Sequence, residues 1–330
     1  MKVYRIWFGC SLGLTLSMLF NWNYGFLAVL LPMFVLSKSP TFKLAFLLMV
    51  VVVTIFVTVT TTYIWECTKH HPLLMFSVVA PMMLIYCLAM LKQTTFALGY
   101  IGILVGSVIF NLSSYSMFDI TDFNINLWII CVCNIAICAI AYFIFPDNPL
   151  DNEGDNSKKG NMPEVKVVDV VVVWILVMIS FVIFQSTSLY DSASANASIF
   201  VILAPMSLLN VVMMAKVRIL GTALGCSLGL GAQFIMGVWF DVGILYWLIL
   251  VIFMGGICSI LVKSQAQEAI GYSAMSALTV PLTTVLVPGS NDAVFNTLYR
   301  FSSILIAVLV GVIIFLSVHY LFNLADNEKV

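Results

Sequence analysis

The sequence predicts an all-α polytopic membrane protein of about 12 transmembrane helices, arranged as two parallel six-helix repeats with both termini cytoplasmic. Three observations lead there. Hydrophobic residues make up 62% of the chain and charged residues only 9%, against roughly 25% charge in a soluble domain, and mean hydropathy is +1.10. Apolar runs of about 20 residues recur, long enough to cross a ~30 Å hydrocarbon core as helices. The lysines and arginines gather between those runs, in a pattern that fixes an orientation. A β-barrel would need apolar and polar residues to alternate. Runs such as Leu44 to Val59 do not, and helices are the default in lipid because they pair their own amides.

Taken in order, the first half reads as helices near 6–20, 24–37, 44–64, 72–91, 95–112 and 126–145. The second reads as helices near 167–187, 195–215, 218–237, 243–262, 271–288 and 300–323. The break Asn21-Trp22-Asn23-Tyr24 makes the first two a hairpin with its aromatics at an interface. A single kinked span from Ile6 to Leu36 is the rival. The first span leads straight into a second, so no cleavable signal pattern is expected. Between the halves, Pro146 to Lys166 holds five acids, three lysines, three prolines and two glycines. Such a segment buries too little apolar surface to repay its ordering entropy, so it reads as a solvated linker. The expected domains are a first repeat over 1–145, a cytoplasmic linker over 146–166 and a second repeat over 167–330.

With the N-terminus inside, 12 of the 14 basic residues fall on the cytoplasmic side, among them Lys2, Arg5, Lys38, Lys43, Lys216 and Arg218; Lys69 and Arg300 fall outside. The halves also read as copies. Leu31-Pro32-Met33 and Ala204-Pro205-Met206 are 173 residues apart, as are Lys43 and Lys216. Gly99-Tyr100 matches Gly271-Tyr272, and Phe123-Asn124 matches Phe295-Asn296, at 172. An even number of helices per copy makes the copies parallel, with a pathway expected at their interface.

At this point the chain resembles the fusaric acid resistance family, which includes the aromatic acid exporters and is distantly similar to the aluminium-activated malate channels of plants. The residues that carry the resemblance are Arg218-Ile-Leu-Gly221-Thr222-Ala-Leu-Gly225, Arg300 at the opening of the last helix of its half, and Phe145-Pro146 closing the sixth helix. The resemblance implies a bacterial inner-membrane, multi-pass protein that exports small organic anions, aromatic carboxylic acids among them. It also implies a periplasmic membrane-fusion adaptor and an outer-membrane channel as partners. Two features depart from the family. Many relatives carry sizeable cytosolic domains where this chain has the 146–166 linker, and Lys43-Leu-Ala-Phe stands where the first half would carry the Arg-x-x-Gly pattern. A passive anion channel and a non-transporting subunit of an adaptor complex are the alternatives.

Asp292, Asn296 and Arg300 lie at i, i+4 and i+8, one face of a helix that starts by Asp292, with Tyr299 and Ser303 beside them. An intramembrane arginine is costly and its planar fork suits a carboxylate. The group therefore reads as a substrate-anion site, or as an interfacial arginine paired with Asp292 or snorkelling to headgroups. The position matching Arg300 in the first half is Trp128, which makes any site single. Asp169 and His319 are candidates for proton coupling, since carboxylates and imidazoles in such positions titrate; Asp169 equally suits a helix N-terminus. Glu268 reads as a helix-start acid.

Other patterns exclude chemistry. His70-His71 point to different helix faces with no third ligand near, so the 65–71 loop reads as solvated and no metal is expected. Gly221, Gly225, Gly229 and Gly231 read as close helix packing rather than a phosphate cradle. Cys131 and Cys133 diverge on a helix, and seven of the eight cysteines lie in apolar spans, so neither a redox pair nor a disulfide framework is expected. No nucleophile–base pair or Walker pattern is present. The chain reads as no enzyme, with no cofactor and no nucleic-acid partner, and with the lipid bilayer as its surroundings. Homo-oligomerisation is left open.

Overall fold

Apolar runs of this length leave the backbone no partner but itself, and the chain answers with helices throughout. A computed structural model of the protein describes residues 1–38, 41–92, 94–115, 118–146, 167–186, 193–206, 208–236, 242–262, 264–285 and 293–327. Among the described residues there are twelve helices and no strand. They are α1 (Lys2–Leu19), α2 (Gly25–Lys38), α3 (Leu44–Thr68), α4 (Pro72–Ala89), α5 (Phe96–Leu112), α6 (Ile120–Ile144), α7 (Val167–Ser186), α8 (Ala193–Leu203), α9 (Leu208–Met236), α10 (Gly243–Leu261), α11 (Gln265–Val285) and α12 (Ala293–Asn327). Seven of the helices are long and apolar enough to cross a membrane, and the protein is a multi-pass membrane protein. Most of the segment read as a linker, 147–166, lies outside the described residues.

Several boundaries differ from the expected ones, each for a local reason. α6 begins at Ile120 rather than near 126, because the Asp119 carboxylate accepts the Thr121 and Asp122 amides at 2.8 and 3.2 Å and caps the first turn. α11 begins at Gln265 rather than 271. There the Ser264 hydroxyl accepts the Gln267 amide at 3.3 Å and donates to the Gln267 Oε1 at 3.1 Å, a side-chain N-cap. The expected boundary at 216–217 does not exist. The chain breaks instead at 204–206, where Pro205 cannot continue a helix and Met206 takes a positive φ of 51°. α9 then runs through Lys216 and Arg218 without interruption, so these two residues stand on a helix and not in a connecting loop. α12 begins at Ala293, which puts Arg300 in its second turn rather than at its opening.

The helices pack as two compact units, Met1–Val51 with Ile125–Met162 and Val217–Phe301, and Val52–Asn124 with Pro163–Lys216 and Ser302–Val330. Each unit draws on both sequence halves, and α3, α6, α9 and α12 contribute residues to both. In the first unit α1 and α2 pack on α10 and α11 around Ile6, Cys10, Leu14, Met33, Leu36, Met254, Ile257 and Leu278. The indole N–H of Trp7 donates to the Val251 carbonyl at 2.8 Å, and that of Trp247 to the Thr15 hydroxyl at 2.9 Å, so the large rings are half-buried without stranding a donor. Gly13 lets α1 lie directly on the Ala28 carbonyl of α2. In the second unit α4 and α5 pack on α7 and α8. Trp174 donates to the Ala80 carbonyl at 2.8 Å, and the Gln185 amide of α7 caps the end of α5 by donating to the Phe110 carbonyl at 2.7 Å.

The α1–α2 approach gives a direct check. A Cβ at residue 13 would run into backbone that cannot yield, whereas Gly231 of α9 has open space around it. Gly13→Ala should destabilise the protein by about 1–3 kcal/mol, the usual cost of overpacking. Gly231→Ala should be neutral or slightly stabilising. Thermal unfolding of the two variants in the same detergent measures the difference.

Candidate functional site

One helix of the first unit turns polar groups inward. On α9, Arg218, Thr222, Cys226 and Gln233 stand at spacings that share a face, and they are 9%, 1%, 4% and 9% exposed. They mark a buried polar seam along roughly 22 Å of helix at ~1.5 Å per residue. The neighbouring line of the same helix is Gly221 and Gly225. A Cβ at either would meet Ser273, Ala277 or the α11 backbone at Ile270 and Ala274. The glycines therefore bring α9 and α11 into backbone contact, as small residues do between membrane helices.

That contact sets the geometry of Arg218. Its Nη1 donates to the Ser273 and Ser276 hydroxyls of α11, each at 3.3 Å. Ser276 spends its own proton on the Ser273 carbonyl at 2.9 Å, so its oxygen faces the guanidinium as an acceptor. Thr222 donates to the Arg218 carbonyl at 2.7 Å. At the far end Gln233 donates to Thr297 of α12 at 3.0 Å, where Thr297 is 1% exposed. Arg300 follows within one turn of Thr297. Arg218, Arg300 and the Cys226 thiol lie within electrostatic range of one another. Two cations thus face one buried, hydroxyl-lined seam. The chemistry of that arrangement favours an anion, which meets planar bidentate donors and relieves the repulsion between the two charges.

At the N-terminal end of α11 a clamp holds it to α2. Glu268 pairs with Lys38 at 3.2 Å, with side chains 18% and 53% exposed. One turn on, the Tyr272 hydroxyl sits among the Met33 and Phe34 carbonyls, at 3.1 and 3.2 Å, and the Ser37 hydroxyl, while its ring packs on Phe34. Glu268 is the helix-start acid that the sequence indicates, but it also joins two helices 230 residues apart in sequence. Elsewhere in the unit Arg5 is fully buried on α1, its guanidinium 4.5 Å above the Tyr142 ring, a cation–π contact.

Of the residues singled out from sequence, Arg300 lies on the seam and Asn296 is on the same helix. Asp292 lies outside the described residues. Tyr299 is 46% exposed. Asp169, half-buried in the first turn of α7, and His319, stacked on Phe315 at 6.1 Å, belong to the second unit. Arg218, Ser273, Ser276 and Gln233 were not anticipated as site residues. Arg218 and Arg5 are buried helix residues rather than loop charges, and Arg218 lies within electrostatic range of Arg300. The signal in the sequence was the Arg218–Thr222 spacing beside Gly221 and Gly225, polar and small residues alternating round one helix.

Residues 2–141 match a protein family described as a protein of unknown function (DUF2955), and the chain is similar to it over that stretch. Neither the curated proteins nor the solved structures give a match.

The two serines test the geometry of Arg218. Replacing both, Ser273→Ala with Ser276→Ala, should cost about 1–3 kcal/mol, because a buried charged donor loses its acceptors. Ser227→Ala, on the exposed side of α9, should cost under about 0.5 kcal/mol. Denaturation midpoints of the purified variants decide it.

Proposed function

We propose that the protein exports small organic anions, aromatic carboxylic acids among them, across a bacterial inner membrane. The export is driven by the proton gradient and works with a periplasmic adaptor. The observation that carries the reading is the pair of the buried Arg218 and the half-buried Arg300, two cations on one polar seam in a bundle of membrane-length helices. A guanidinium in a membrane interior costs ~2.5–3.5 kcal/mol even on insertion scales, so its presence is a functional signal. The resemblance of Arg218 to Gly225 to the fusaric acid resistance family supports the same substrate class. Asn296 shares the helix of Arg300, and Asp292 stays a candidate partner; Asp169 and His319 remain the candidates for proton coupling.

The duplicated-half reading is consistent with the packing of its matched glycines. Gly99 of α5 lies against Tyr86 and Met90, at and just past the end of α4, and Gly271 of α11 lies against Leu261 of α10. At the offsets of that reading, Arg218 falls on Ala45 and Arg300 on Trp128, so the site would belong to the second half alone.

Flux of labelled benzoate in proteoliposomes tests the function. The wild type should move it against its gradient only when a pH gradient is imposed. Arg300→Ala and Arg218→Ala should each lower the rate at least tenfold while the protein still inserts, and Lys69→Ala should leave it within twofold. Current that follows the anion gradient alone would replace the exporter with a channel. No flux from the purified wild type would point to the subunit of an adaptor complex.

A further inference from the structure

The second unit holds a polar layer that the anion seam does not use. Helices α5, α7 and α8 all belong to that unit. Tyr100 and Ile103 of α5, Val173 and Val177 of α7, and Phe200 and Leu203 of α8 line one small cavity, so these three faces look at one another. Residues at i+4, i+7 and i+11 stay on one face of a helix. The face of Tyr100 therefore continues through Ser107 to Asn111, that of Val173 through Val177 to Ser180, and that of Phe200 back to Asn196. Two contacts keep the helices together at this level. Phe110 packs edge-on against Phe181 with ring centroids 6.0 Å apart, and Ser180 donates to the Asn196 Oδ1 at 3.2 Å. Ser107, Asn111, Ser180 and Asn196 are 3%, 2%, 4% and 2% exposed.

Asn111 stands apart from the other three. Among the described residues neither its Nδ2 nor its Oδ1 has a hydrogen-bond partner, although both atoms are buried. Buried side-chain amides are satisfied in native proteins, and one with neither end bonded to protein calls for a bound water or ion. The surrounding groups indicate which. Ser107 commits its proton to the Leu104 carbonyl at 3.1 Å, and Ser180 commits its own to Asn196. Their oxygens remain as acceptors, beside the carboxamide oxygens of Asn196 and Asn111. Neutral oxygens with their hydroxyl protons already committed favour positive charge, and oxygen ligands suit hard cations. No group of three His, Cys, Asp or Glu side chains that could hold a metal occurs among the described residues. A divalent or soft ion therefore has no ligand set in this layer.

We propose that Asn111, with Ser107, Ser180 and Asn196, forms a site for a monovalent alkali cation, whose hydration shell these oxygens partly replace. The site belongs to a different unit from Arg218. It goes beyond the transport reading and needs no part of it.

Equilibrium binding to the purified full chain tests it, with radiolabelled sodium in one arm and radiolabelled rubidium, a stand-in for potassium, in the other. The wild type should bind one of the two saturably, and the arm that does so identifies the ion. Asn111→Ala should weaken that binding roughly tenfold. Asn111→Asp, which keeps the shape and adds a negative charge at alkaline pH, should tighten it by roughly the same factor. Ser77→Ala, at an exposed serine of α4, should stay within about twofold of wild type. Asn111→Ala removes no hydrogen bond, so its melting temperature in choline chloride should match or exceed that of the wild type. The rise in melting temperature that the bound ion gives the wild type should be absent from it. No saturable binding in either arm would overturn the site and leave the layer to water. Wild-type affinity in Asn111→Ala would overturn it too, as would an Asn111→Asp that binds no tighter than wild type. The assay contains no benzoate, so its failure leaves the exporter reading untouched, and an absence of benzoate flux leaves the cation site standing.

Discussion

The guanidinium of Arg218, held by two serine hydroxyls of a neighbouring helix, is the interaction on which the functional architecture turns. A cation inside a bundle of apolar helices cannot be left to find its own solvent. It needs acceptors at fixed positions, and Ser273 and Ser276 supply them at 3.3 Å. They can do so only because Gly221 and Gly225 bring α11 onto α9 at backbone distance. Remove the small residues and the hydroxyls retreat; remove the hydroxyls and the charge loses its frame. Packing and electrostatics are thus one device here, and the seam that includes Thr222, Cys226, Gln233 and Arg300 is laid out by it.

Much of the fold was legible in the sequence, because the length and polarity of apolar runs reflect a simple demand, that every amide be paired away from water. Twelve helices were expected, and twelve are found among the described residues. What misled was the use of charge as punctuation. Lys216 and Arg218 read as a loop, yet lysine and arginine are good helix formers, and the true break comes at Pro205 and Met206, where the backbone itself is constrained. The caps at Asp119 and Ser264 were visible as residue types, and they start α6 and α11 earlier than hydrophobicity alone suggests.

The site was legible by halves. Arg300 stands out in any reading of the chain, being a lone base in an apolar stretch. Arg218 does not, since its partners come from 55 and 58 residues further on and no periodicity announces them. The same holds for Arg5, whose ring partner Tyr142 lies on α6. A charge near a helix end is ambiguous in sequence between a headgroup anchor and a buried ligand group, and only the neighbouring helices resolve it.

A small anion seen in place would test the account most directly. Diffraction data from crystals grown with 4-bromobenzoate, collected at the bromine edge, locate the ligand without assumption. The account predicts an anomalous peak on the α9–α11–α12 seam, with the carboxylate against Arg218 or Arg300. An empty seam, with bromine found only at the lipid-facing periphery or not at all, would contradict it.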